Sequence, residues 1–145
     1  MPILNPYLCF NGNCEEAFNF YKSIFGGEFI YFARFSEMPK DDPNCETMSD
    51  EDANKVMHVS LPLSKETVLM GCDNPNQKEK PTNFGDNISL TLNAKDKSEA
   101  DRLYSALSQK GIPMMPMSDT FWGSYFGMLQ DQFGINWMID YSEMK

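Results

Sequence analysis

Two stretches of the chain place apolar residues at helical spacing behind a polar cap. In "NCEEAFNFYKSIFGG", Asn13 stands as cap with Glu16 three residues on, the arrangement of a capping box. Ala17, Phe20, Tyr21 and Ile24 then form one apolar stripe, and Gly26–Gly27 ends it. "DKSEADRLYSALSQKG" repeats the design with Asp96 as cap, Glu99 at the third position, Gly111 as stop and Ala100, Leu103, Tyr104 and Leu107 as the stripe. Asn13, Glu16, Ala17 and Tyr21 each lie 83 residues before their counterparts Asp96, Glu99, Ala100 and Tyr104. The spacing predicts two helices related by an internal repeat.

Around the helices the apolar period shortens to two, which predicts strands. "ILNPYLCF" precedes the first helix; "EFIYFARF", "KVMHVSLPL" and "TVLMGCD" follow it. "NISLTLN" precedes the second, and "IPMMPMS", "SYFGMLQ" and "INWMIDY" follow. Ser64–Lys65–Glu66 and Asp131–Gly134 read as hairpin turns. The order is βαβββ twice, an α+β domain over 1–145 with module one at about 1–75 and module two at about 84–145. A period this long suits a duplicated half-domain better than a solenoid. The acidic stretch 37–54 interrupts only module one and reads as a solvated loop, either a surface excursion or a lid.

Composition narrows the partners. The 145 residues carry a formal charge of −9, with 12 basic against 21 acidic side chains, which excludes the counterion-displacing surface that nucleic acid requires. The same balance disfavours anionic membranes. No apolar run approaches a membrane span and no signal pattern opens the chain, so a soluble cytoplasmic protein is expected. Cys9, Cys14, Cys45 and Cys72 fit no zinc spacing and are expected as free thiols in a reducing compartment.

The paired modules, with "PYLCFNGNCEEAFNFYKSIFGGE", "ARFSEMP", "HVSL", "LMGCD" and "DTFWGSYFGMLQDQFGINWMID", resemble the vicinal oxygen chelate superfamily of glyoxalases, bleomycin-resistance proteins and extradiol dioxygenases. Within it the motifs are most similar to the PhnB-like branch. The resemblance implies two open half-barrel sheets with helices outside, a pocket on the concave faces, and a homodimer. Members of the branch are often labelled as a demethylubiquinone methyltransferase. That activity is not carried over, because the chain lacks the G-x-G-x-x-G turn of a Rossmann-type cofactor fold.

In the superfamily's metal enzymes, His and Glu from the first and last strand of each module hold a divalent ion. Here Ile3 to Phe10 and Asn87 to Asn93 offer no His, Asp or Glu, with Asn87 near the expected His. The family's G-x-x-W-E reads Gly134, Ile135, Asn136, Trp137, Met138, placing a thioether where the carboxylate belongs. Asp73 alone remains near the rim, so no metal and no cofactor are expected. Period-two alternation turns His58 and Ser60 to the concave side, opposite Met57, Val59 and Leu61. It turns Asn87, Ser89, Thr91, Asn136 and Met138 the same way, with Ile88, Leu90, Leu92, Ile135, Trp137 and Ile139 toward the helix.

The expected ligand-binding set is His58, Asn87, Trp122, Asn136, Met138 and Arg34. His58 reads either as a hydrogen-bonded structural residue or as a ligand contact, and Trp122 as packing or as a cap on the pocket mouth. Arg34, opposite Phe29, Tyr31 and Phe35, is read as a concave-face anion holder or as an edge-strand charge in solvent. Met114, Met115, Met117, Met128 and Met138 supply adaptable apolar surface. Three functions stay open: a metal-free binder of a small organic molecule, a metal-dependent lyase or oxygenase, and a structural or regulatory dimer with a vestigial pocket.

Overall fold

The computed structural model describes residues 2–38 and 49–142. The chain divides into two compact units, residues 1–83 and 84–145. The first contains β1 (Tyr7–Phe10), α1 (Cys14–Phe25), β2 (Tyr31–Arg34), a 3₁₀ turn (Phe35–Glu37), the short α2 (Asp50–Ala53), β3 (Val56–Pro62) and β4 (Val68–Asp73). The second contains β5 (Leu90–Asn93), α3 (Lys97–Leu107), β6 (Ile112–Asp119), β7 (Tyr125–Gln130) and β8 (Asn136–Tyr141). The sheets run β1-β4-β3-β2 and β5-β8-β7-β6. In each, the outer strand ahead of the helix pairs in parallel with the last strand, and the other pairings are antiparallel. The repeated βαβββ order is therefore observed, as two open mixed sheets. Among the described residues no helix is long and apolar enough to cross a membrane.

In the first unit Leu8, Val59, Leu61 and Leu69 face α1, which contributes Ala17, Phe18, Tyr21 and Ile24 to the core. The helix sits close because β4 has Gly71 beneath it. A Cβ there would lie 2.6 Å from the Phe18 ring and 2.8 Å from the Leu8 carbonyl. Phe18, absent from the expected stripe, is fully buried, while Phe20 is only half-buried. Trp137, Ile139 and Leu129 form the corresponding face in the second unit, against Ala100, Leu103 and Leu107 of α3.

Several boundaries differ from the sequence reading. Both leading strands are shorter, so Asn87 and Ile88 precede β5, and Ile88 is exposed rather than packed on a helix. In β3 the register against β2 shifts between Ala33 and Arg34, pairing Val56 rather than Met57 with Arg34. This bulge gives Val56 the buried place expected of Met57. Part of the acidic stretch is ordered, with Ser49 capping α2 through the Asp52 N–H. Residues 39–48, including Cys45, lie outside the described residues.

The two helix starts also diverge. Asp96 accepts from Glu99 N at 2.7 Å, as expected, although Glu99 reaches back to Lys95 N rather than to the cap itself. Asn13 makes no side-chain cap bond. Asp73, at the end of β4, accepts from Gly12 N at 3.0 Å and Cys14 N at 2.9 Å with one oxygen, and from Val56 N at 2.9 Å with the other. The residue weighed as a metal ligand is a fully buried structural carboxylate.

Candidate functional site

On the sheet of residues 1–83, the strands alternate between the α1 face and the open face. Register aligns Tyr7 with Met70, Met70 with Ser60 and Ser60 with Tyr31, while Cys9 aligns with Cys72. His58 lies on this same open face, as its period-two pattern implied. Its Nδ1 is 3.3 Å from the Tyr7 hydroxyl and its Nε2 is 2.8 Å from Ser60 Oγ. Tyr7 and Tyr31 flank the imidazole at centroid distances of 5.6 and 5.5 Å. Both tyrosines remain about half exposed, so the ring assembly faces outward with its edges satisfied.

Burial, together with the neighbouring Cys72 thiol, pushes the Tyr7 hydroxyl above its ordinary range, so it stays a donor at neutral pH. The imidazole bridges the Tyr7 and Ser60 hydroxyls, its tautomer deciding which ring nitrogen donates. A ligand on this face meets two aromatic rings and a hydrogen-bonding strip. Alternation along the sequence puts His58 on this face but does not single out Tyr7 or Tyr31. For Tyr7 the signal was available, since Leu8 and Phe10 alternate with Tyr7 and Cys9.

Arg34 requires a correction of side. Register with Val56 places it toward α1, where its guanidinium pairs with both Glu15 oxygens at 3.0 and 2.8 Å and donates to the Asn54 carbonyl at 2.9 Å. It also stacks 5.0 Å from the Phe32 ring centroid. The hydrogen bonds from Arg34 hold the Glu15 carboxyl below its ordinary range. That contribution is present at neutral pH and fades as pH falls through the lowered value. Arg34 lines a cleft with Gly12, Lys55 and Asp73, whose polar groups already bond one another. Tyr31, assigned to the opposite side by the sequence pattern, takes the open face instead.

In residues 84–145, Met138 and Asn136 lie on the face away from α3, in line with Met128 and Gln130 of β7. Thr91 Oγ1 approaches the Met138 sulfur at 3.7 Å. Asn136 is buried, and its amide is committed to the Gly85 carbonyl at 2.9 Å, the Ile88 carbonyl at 3.4 Å and Gln130 Nε2 at 3.3 Å. It therefore fastens the segment ahead of β5, where Asn87 sits exposed in a bend. Trp122 occupies the β6–β7 turn, exposed, edge-on to Phe121 at 5.1 Å and to Phe126 at 6.0 Å. Trp137 is buried on the α3 side, with Nε1 donating to Asp131 Oδ2 at 2.8 Å.

Among the described residues no three His, Cys, Asp or Glu side chains gather as a metal site needs. The family model described as 3-demethylubiquinone-9 3-methyltransferase matches residues 3–140. Protein YjdN of Escherichia coli (strain K12) is 30% identical over 141 residues, covering 94% of this chain and 93% of YjdN. The crystal structure of protein PA1353 from Pseudomonas aeruginosa is 35% identical, with a TM-score of 0.83 and 98% of each chain covered. A putative 3-demethylubiquinone-9 3-methyltransferase, PhnB protein, from Bacillus cereus is 25% identical, with a TM-score of 0.75 over 96% of this chain and 98% of its own. Glyoxalase-related and glyoxalase/bleomycin resistance structures share the fold alone, at 12% to 16% identity and TM-scores of 0.59 to 0.61.

Proposed function

Because this chain belongs to the PhnB-like branch of the vicinal oxygen chelate superfamily, in the family described as 3-demethylubiquinone-9 3-methyltransferase, we propose that it binds a small, partly aromatic organic molecule without a metal ion. The observation that supports this most is the Tyr7–His58–Tyr31 assembly on an open sheet face. Rings of this kind recognise flat apolar groups, and the Ser60–His58–Tyr7 strip orients a neutral donor or acceptor. Separately, the second sheet turns Met138 to its own open face and Trp122 stands exposed in the β6–β7 turn, while Asn136 spends its amide on protein partners. Without Arg34, the open face of the first sheet favours neutral or amphipathic ligands over strongly anionic ones.

The donor set does not fit the superfamily's metal. Tyr7–Phe10 and Leu90–Asn93 carry no His or carboxylate, Met138 replaces the final carboxylate, and Asp73 is consumed by three backbone N–H groups. Methyl transfer is not inferred either. The strand-to-helix turn from Phe10 to Cys14 has one glycine, Gly12, and the sheets are not the doubly wound parallel kind that cradles a nucleotide cofactor.

The chain's single histidine makes a clean test. A library of aromatic and amphipathic fragments is screened by NMR on the His58 imidazole resonances. Binding ligands are expected to shift them, to weaken about tenfold on Tyr31→Ala, and to bind equally with and without EDTA. Confirmed ligands that leave His58 unmoved, or that need a divalent ion, overturn the reading.

We also propose a homodimer. Strand β6 is a long sheet edge with Ile112, Met114 and Met115 exposed at 59%, 54% and 41%, and such edges are paired or covered in stable proteins. Sedimentation at micromolar concentration is expected to show a species of twice 16.6 kDa; a monomer there overturns it.

A further inference from the structure

Cys9 and Cys72 stand directly opposite each other on the parallel strands β1 and β4, both on the open face. Their sulfurs are 3.9 Å apart, and both thiols are partly exposed. Neighbouring strands run about 4.8 Å apart, inside the Cα separation of roughly 4.4–6.8 Å that a disulfide spans. The strand register brings the two Cα atoms within range, and closure requires a small approach of the strands to bring the Cβ atoms to about 3.5–4.5 Å. Cys9 Sγ also meets Thr82 Oγ1 at 3.3 Å. Thr82, Cys9 and Cys72 thus form one polar row beside the Tyr7–His58–Ser60 strip.

We propose that Cys9 and Cys72 are a redox-active dithiol that closes reversibly to a disulfide with hydrogen peroxide as oxidant. One thiolate attacks a peroxide oxygen; an S–O bond forms, the O–O bond breaks, and the departing hydroxide takes up a proton to become water. The second sulfur then attacks the sulfenic sulfur, forming S–S and releasing the second water. Two thiols are oxidised by two electrons and one peroxide is reduced to two waters. The protons lost by the two thiols are those taken up by the two departing hydroxides.

The other described thiol is excluded by its surroundings. Cys14 is fully buried beneath the Asp73 carboxylate, and burial pushes its thiol far up. Cys72 is also raised, to about 11, chiefly by burial. At neutral pH its thiolate is a minor species, so closure is expected to quicken as pH rises. This dithiol is independent of the ligand proposed above, since closure requires no bound molecule.

The test uses the full chain, reduced and then exposed to hydrogen peroxide under native conditions, followed by alkylation, digestion and mass spectrometry. The expected product is a peptide pair joined through Cys9 and Cys72, with two of the four thiols protected and both restored by dithiothreitol. Formation is expected about tenfold faster than in urea, because the fold holds the sulfurs together. Cys9→Ser and Cys72→Ser should each leave the remaining sulfur as a sulfenic acid trappable by dimedone. Because the linkage is read in the unmutated chain, a poorly folding variant does not blur the result. Oxygen addition at single cysteines without the linkage, or linkages made equally through Cys14 or Cys45, overturn the proposal.

Discussion

Asp73→Ala is expected to destabilise the protein by about 3 kcal/mol or more, since it strands the three N–H donors that its carboxylate accepts from. Gly12 N and Cys14 N open α1, where the first turn of any helix lacks intrahelical acceptors. Val56 N belongs to β3, so one carboxylate ties the helix start to two strands. Asp73→Asn should recover little. Its amide oxygen can serve Gly12 and Cys14 or Val56, but the amide nitrogen then faces the remaining donors. It also removes the negative charge at a helix N-terminus, itself worth about 0.3–1 kcal/mol. Asn13→Ala supplies the contrast. A working N-cap asparagine costs about 1 kcal/mol on removal, whereas Asn13 makes no cap bond and its loss should cost well under that. Urea unfolding followed by circular dichroism and Trp emission measures all three. A small loss for Asp73→Ala with a larger one for Asn13→Ala would return the cap to the local sequence.

That contrast shows where the sequence was legible. Element order and the repeat follow from local periodicity, and every long helix and every strand but β6, which runs on to Asp119, falls within its expected stretch. Asn13–Glu16 and Asp96–Glu99 carry the same capping signature, yet only Asp96 acts as a cap. The replacement comes from Asp73, about sixty positions away, and no local pattern reports such a contact. Sidedness failed in β2 for a related reason. Alternation groups Tyr31 with Phe29 and Phe35 opposite a concave-face Arg34, but register against Ser60 turns Tyr31 to the open face and sends Arg34 to Glu15. His58 was placed correctly because Val59 and Leu61 bracket Ser60 with unambiguous core residues. Asn87 was misplaced because extended sequence ahead of a strand looks like strand, and only the hydrogen bonds of Asn136 to the Gly85 and Ile88 carbonyls show that segment to be a tied loop. Met138, by contrast, needed only the G-x-x-W position and the parity of Trp137 beside it.

Asp131 should behave as the second buried anchor, with an effect as large as that of Asp73. Its Oδ1 accepts from Phe133 N at 2.8 Å and Ile135 N at 3.0 Å, shaping the β7–β8 turn that Gly134 completes at φ 91°. Its Oδ2 accepts from Trp137 Nε1 at 2.8 Å, anchoring the largest fully buried side chain of the core. Asp131→Ala is therefore expected to cost about 3 kcal/mol or more by leaving buried donors without this acceptor. Asp131→Asn can keep the two turn bonds on its amide oxygen, but it then turns an N–H₂ group toward the indole N–H. Most of its cost should come from that one opposed pair. Trp137→Phe removes the indole donor at the price of some packing, so the two changes must not add. In a double-mutant cycle, Asp131→Asn and Trp137→Phe are expected to couple by about 1 kcal/mol or more, with the double variant more stable than the sum predicts. Trp122→Ala, in the exposed turn, is expected to add independently to either change. A coupling near zero between Asp131 and Trp137 would mean that the indole bond contributes nothing, and that the turn alone accounts for the aspartate.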